Sequence, residues 1–134
     1  MANVLYDPGR DAFLNGDIDY MNDTIRVYLI DTADYTFSAA HQFLSQVPAA
    51  ARVAYGTLTG KSTSAGVADA NDTVLSAVTG DPCEAIILCK WTGDDTTSPL
   101  IGYIDTAAAG LPVTPNGGDI TITWDNGPNK IFKL

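Results

Sequence analysis

The chain has 134 residues, a formal net charge of −9, and sixteen acids against seven Lys and Arg, a size that fits one domain. The charge argues against recognition of DNA or RNA through phosphates, and the scattered cations Arg10, Arg26, Arg52, Lys61, Lys90, Lys130 and Lys133 give no grip on anionic lipid. Twelve aromatic residues within a 46% hydrophobic composition exclude a disordered chain.

All the acids but one, Glu84, are Asp. Asp bonds its own backbone nearby, which makes it poor inside helices and good in turns, so the composition points to strands joined by tight turns. The first residues, Met-Ala-Asn-Val-Leu-Tyr-Asp, lack a basic region and a long apolar run, and no signal peptide is expected.

A short helix is predicted first, with Asp7 as N-cap, Pro8 in the first turn, an apolar side of Ala12, Phe13 and Leu14, and a stop at Gly16. A turn at Asn22-Asp23 leads into a strand over 24–30, which ends at 31–34. Residues 38–46 read as a second short helix, capped by Ser38, turning Phe43, Leu44 and Val47 inward and ended by Pro48. Residues 52–55 and 57–59 read as a strand interrupted by a bulge at Gly56.

The small, polar stretch 60–73 has room for a hairpin without fixing its register, and 74–78 reads as a short strand stopped by Thr79-Gly80-Asp81-Pro82. Residues 85–91 are almost continuously apolar, as expected of a central strand covered on both faces. The turn at 93–97 returns the chain through 100–104 in an antiparallel hairpin, and a loop follows over 107–115. Ile120, Ile122 and Trp124 alternate with Thr121, Thr123 and Asp125, the period of a strand with one buried face. The apolar tail 131–134 is then expected to close a sheet.

The resulting expectation is an all-β fold: one antiparallel β-sandwich or flattened barrel over 1–134, with one or two short helices near the N-terminus, the first of them in an N-terminal arm over 1–16. Ile30-Asp31-Thr32-Ala33 recurs as Ile104-Asp105-Thr106-Ala107, read as two similar strand exits rather than a duplication.

Candidate chemistry is sparse. His41, the only histidine, falls in the predicted second helix, without the strained nucleophile turn of a Ser–His–Asp site. Three acid pairs, Asp17 with Asp19, Asp69 with Asp72 and Asp94 with Asp95, could offer oxygens to Ca²⁺, but none has the twelve-residue loop or a closing Glu, and turn or cap roles are expected instead. Cys83 and Cys89, six residues apart in one predicted strand, lie about 20 Å apart on one face, too far for a disulfide, and read as buried thiols. Gly117-Gly118 lacks the Lys and Ser/Thr of a phosphate loop. No catalytic, cofactor-binding or metal residues are expected, and no cofactor. The Tyr and Trp residues would suit a carbohydrate or protein interface, but more often serve packing.

The stretches Ala12-Phe13-Leu14-x-Gly16-Asp17-Ile18-Asp19, Ile30-Asp31-Thr32-Ala33-Asp34-Tyr35, Ala51-Arg52-Val53-Ala54, Gly66-Val67-Ala68-Asp69-Ala70 and Ala77-Val78-Thr79-Gly80-Asp81 carry a likeness, as does the C-terminal run from Leu111-Pro112-Val113-Thr114 to Ile131-Phe132-Lys133-Leu134. Together they resemble a family of small late-gene proteins of tailed bacteriophages and prophages. The resemblance implies a non-enzymatic virion structural protein, a capsid decoration or cement protein at the capsid surface, made in the bacterial host cytoplasm. Its implied partners are the major capsid protein and further copies of itself, with no nucleic acid and no membrane. The segment before Asp17 or the C-terminal tail would supply the associating edge. The alternative is a tail- or fibre-associated host-binding module, with a phage-encoded hydrolase third. Cys83 and Cys89 depart from the family pattern, and the resemblance brings no catalytic residues to transfer.

Overall fold

Two six-residue runs, IRVYLI and AIILCK, frame the molecule, because both are too apolar to leave either face in water. The computed structural model describes residues 3–106, 110–128 and 130–134; part of the predicted 107–115 loop therefore lies outside the described residues. In chain order the elements are β1 (Val4–Leu5), α1 (Asp7–Leu14), β2 (Ile25–Ile30), β3 (Arg52–Thr57), β4 (Ser62–Ser64), β5 (Val67–Asp69), β6 (Thr73–Leu75), β7 (Ala85–Lys90), β8 (Leu100–Ile104), β9 (Ile120–Ile122) and β10 (Phe132–Lys133).

The main sheet has the order β1-β8-β7-β2-β3, with every ladder antiparallel. β7 sits at its centre and β2 beside it, as their continuous apolar sequences require. Two smaller antiparallel sheets, β10-β5-β4 and β6-β9, lie against one face. There Val27, Leu29, Ile86, Leu88 and Ile101 pack with Ala68, Leu75, Trp124 and Phe132 in one core cluster. The other face carries Tyr28, Ile30, Ile87, Cys89 and Tyr103 and is covered by the segment 31–51 through Tyr35, Leu44, Val47 and Ala51, with Tyr6 completing the second cluster. The result is a sandwich-like, mostly antiparallel β fold with one α-helix, and no sheet closes into a barrel among the described residues.

Several local expectations change. The N-cap of α1 is Tyr6, extended and without a side-chain cap, while Asp7 is the first helical residue and bonds Arg10 at 3.0 Å. The predicted second helix is absent: 38–43 is irregular, followed by single 3₁₀ turns at Leu44–Gln46 and Ala49–Ala51. Its apolar residues serve other ends. Phe43 bridges to Pro99, Leu44 N–H reaches the Ser98 carbonyl, and the Gln46 side chain accepts from the Phe43 N–H. Gly56 does not interrupt β3, which runs through it; the irregularity is at Val53, because Leu29 faces Ala54 while Ile30 faces Arg52.

The stretch 60–73 does hold a hairpin, β4–β5, turned by Ala65 (φ 53°) and Gly66 (φ 78°), two successive left-handed residues as a tight two-residue hairpin turn requires. The closing alternation is as read, although β9 ends at Ile122. Trp124 is buried beyond it, with its backbone N–H on Asp72 and its indole N–H on the Asn71 carbonyl. The C-terminal strand β10 pairs with β5, Phe132 opposite Ala68.

The two cysteines are free and buried but do not share a face: Cys83 belongs to the first cluster and Cys89 to the second. Strand alternation begins only at Ala85, because Cys83 is held in a bridge to Val113 and the Glu84 N–H turns to the Ile30 carbonyl. The echoed strand exits lie on one side of the main sheet, since β2 and β8 both run antiparallel to β7. Ala107, the last residue of the echo, lies outside the described residues.

Candidate functional site

Both segments expected to associate with a partner converge on one surface groove of about 480 Å³. The end of α1 contributes Phe13, the turn after it Ile18, Tyr20 and Met21, and the C-terminal tail Phe132 and Leu134. The aromatic floor is a packed cluster: Tyr20 meets Phe132 edge-on at 5.6 Å between centroids, and Phe13 lies 5.8 Å from Phe132. The Tyr20 hydroxyl donates to the Asp69 carbonyl at 2.7 Å, and burial pushes its pKa above the ordinary value. At the rim Met21 and Leu134 are 45% and 60% exposed, so the groove offers apolar surface to solvent.

On the opposite face of the main sheet, three strands assemble a second feature. The guanidinium of Arg26 on β2 lies 4.1 Å from the ring centroid of Tyr55 on β3 and 4.1 Å from that of Trp91, just past β7. The register explains the stack: Arg26 pairs with Thr57 and Cys89, so Tyr55 and Trp91 are its diagonal neighbours. Its Nη1 donates to the Tyr28 hydroxyl at 3.2 Å, and its Nε is buried without a partner. Sequence reading named these aromatics without joining them to Arg26, because only the register brings the three together.

His41 sits in the irregular segment. The Tyr35 hydroxyl lies 2.8 Å from its Nδ1 and 2.9 Å from the hydroxyl of fully buried Tyr6. Burial raises the pKa of both tyrosines, and the three side chains form a chain of hydrogen bonds that pins the 31–51 cover to the sheet.

In the described residues, members of the predicted acid pairs serve turns, caps and an ion pair. Asp19 accepts from Met21, Asn22 and the Asn22 amide, which holds its carboxyl below the usual range. Asp72 caps Trp124, Asp94 caps Thr96 and is likewise lowered by that bond, and Asp95 pairs with Arg52 at 3.0 Å. Three other acids, Asp31, Asp34 and Asp81, have carboxylates that could offer oxygens within 4.8 Å of one another. Three such oxygens fall short of the six to eight that Ca²⁺ takes. Their separation in the chain hid them from sequence reading.

Burial raises the Cys83 thiol to about 11 and the Cys89 thiol to about 12, which makes both inert rather than reactive. Among the described residues no helix is long and apolar enough to cross a membrane. Set against known proteins, the sequence matches no family model and no curated protein.

Proposed function

We propose that this chain is a bacteriophage virion structural protein that decorates the head, stabilising it by contacts across capsomers of the major capsid protein. The observation that carries the reading is the exposed apolar groove, built jointly from the end of α1 and the C-terminal tail. An aromatic floor with an exposed Met and Leu rim gains free energy when a partner covers it, at roughly 25 cal/mol per Å² of apolar area removed from water. Each contact is modest, but a closed shell repeats it many times, and repetition suits a small, rigid, acidic protein that stays soluble before assembly. The phage-family resemblance of the sequence points the same way.

The test is to purify particles from a lysate of the phage or induced prophage that encodes the chain and count its copies by quantitative mass spectrometry. A decoration protein is expected at hundreds of copies, and heads lacking it are expected to open at lower temperature. A handful of copies located at the tail would refute the head assignment, and absence from particles would refute the reading altogether.

A further inference from the structure

We propose that Arg26, clamped between Tyr55 and Trp91, forms a shallow binding site for the carboxylate of an acidic sugar residue. The site lies on the opposite face of the main sheet from the groove and does not depend on the head-decoration reading. In a chain with a surplus of nine negative charges, the other two arginines have their carboxylates: Arg10 pairs with Asp7 and Arg52 with Asp95, both at 3.0 Å. Arg26 has no acidic partner among the described residues. Nη1 has only the neutral Tyr28 hydroxyl, Nε is a buried donor with nothing to bond, and Nη2 makes no hydrogen bond within the described chain.

An unpaired guanidinium with an orphaned donor is a standing cost, since hydrogen bonds and charge complementarity are what normally stabilise a partly buried arginine. Here two rings, one from each side of β2, lie 4.1 Å from the guanidinium carbon. Nε is enclosed, so the donor left open to a ligand is Nη2, which can give a carboxylate charge-assisted hydrogen bonds.

Tyr55 narrows the ligand class. It is 53% exposed although it sits on a strand, and its ring stands beside the guanidinium. A pyranose bearing its own carboxylate spans both features, with the carboxylate on the Arg26 edge and its C–H face against the phenol ring. A short acidic side chain satisfies the cation and leaves the ring uncovered. The net charge of −9 repels a polyanion. The fitting ligand is a sugar with a single carboxylate, of the uronic or sialic acid class, rather than a phosphate chain.

Two indoles make the test direct. The ¹⁵N-labelled full chain would be titrated with D-glucuronate, N-acetylneuraminate, D-glucose, acetate and the blocked peptide acetyl-Gly-Glu-Gly-amide, following the indole resonances of Trp91 and Trp124. Trp124 is buried on the other side of the sheet, bonded to Asn71, and serves as the internal reference. Saturable movement of the Trp91 resonance is expected with glucuronate or N-acetylneuraminate, at least about fivefold weaker with glucose or acetate, a gap of about 1 kcal/mol. It is expected to vanish in Arg26→Met, which keeps the aliphatic stem between the rings. Should that variant not fold, Tyr55→Ser removes a half-exposed ring that touches Arg26 and Tyr28 and is expected to reduce the sugars' advantage over acetate. Equal responses to acetate or the glutamate peptide would overturn the sugar assignment, and no Trp91 response to either acidic sugar would overturn the site.

Discussion

The Tyr6 hydroxyl is fully buried, and Tyr35 is its only hydrogen-bond partner among the described residues. Replacing Tyr35 with Phe leaves that hydroxyl unpaired and is expected to cost about 1–3 kcal/mol, while Tyr6→Phe combined with Tyr35→Phe should cost less than the sum of the two single changes. Urea denaturation of the four proteins measures the coupling, and strict additivity would show that the chain of hydroxyls carries no joint stability. Alkaline pH acts on neighbouring groups. Burial holds Cys89 at about 12 and Cys83 at about 11, above the ordinary thiol value of 9.0, and raises Tyr6, Tyr20, Tyr28, Tyr35 and Tyr103 as well. A raised folded pKa means that the folded state binds the proton more tightly. The stability these groups contribute is therefore complete below pH 9 and is lost as pH climbs through the folded values. The melting temperature should fall steadily from pH 9 to 11, less steeply in Cys89→Ala, and neither thiol should react with a disulfide reagent at pH 8 until denaturant is added.

Between elements, the contact of β3 with β6 is the tightest test of packing. A Cβ built on Gly56 would stand 2.7 Å from Thr73 Cγ2 and 3.3 Å from Leu75 Cδ1, so Gly56→Ala forces the strands apart and is expected to cost about 1–3 kcal/mol. Thr73→Ser removes the opposing methyl group and should restore part of that loss. The Thr73 hydroxyl is itself buried without a partner, so Thr73→Val, nearly equal in shape, should raise stability by about 1 kcal/mol in urea melts. A loss of stability in Thr73→Val would mean that the hydroxyl is satisfied in solution. The same elements show what the sequence makes legible. Ile25–Ile30 and Ala85–Lys90 could be read because unbroken apolar runs have few other fates, and the alternation from Ile120 to Trp124 because its burial follows the period of two. The segment 38–46 misled because its apolar spacing satisfies a helix equally well, while long-range partners, Pro99 and Ser98, decide its shape. Neither surface feature was legible as a unit: the groove joins residues 13 and 134, and the arginine stack depends on a register across three strands.

Over the whole molecule, the apolar material divides between two purposes. Each face of the main sheet is sealed by its own layer, so Met21 and Leu134 at the groove rim are not needed to complete a core. That separation makes the groove testable without unfolding the chain. Met21→Asp and Leu134→Asp each place a carboxylate on exposed rim, where substitutions usually change stability by about 0.5 kcal/mol or less. Each should nevertheless weaken attachment to heads strongly, since a carboxylate buried against a partner without a counter-charge costs several kcal/mol. The measurement is competitive: tagged wild-type and variant chains are mixed in equal amounts with heads stripped of the native protein, and bound copies are counted. Wild type should dominate by at least about tenfold, which corresponds to about 1.4 kcal/mol. Arg26→Met, on the opposite face, should compete on equal terms. If both rim variants bind heads as well as wild type while melting normally, the groove is not the attachment surface; if Arg26→Met alone fails, attachment runs through the aromatic–arginine face instead.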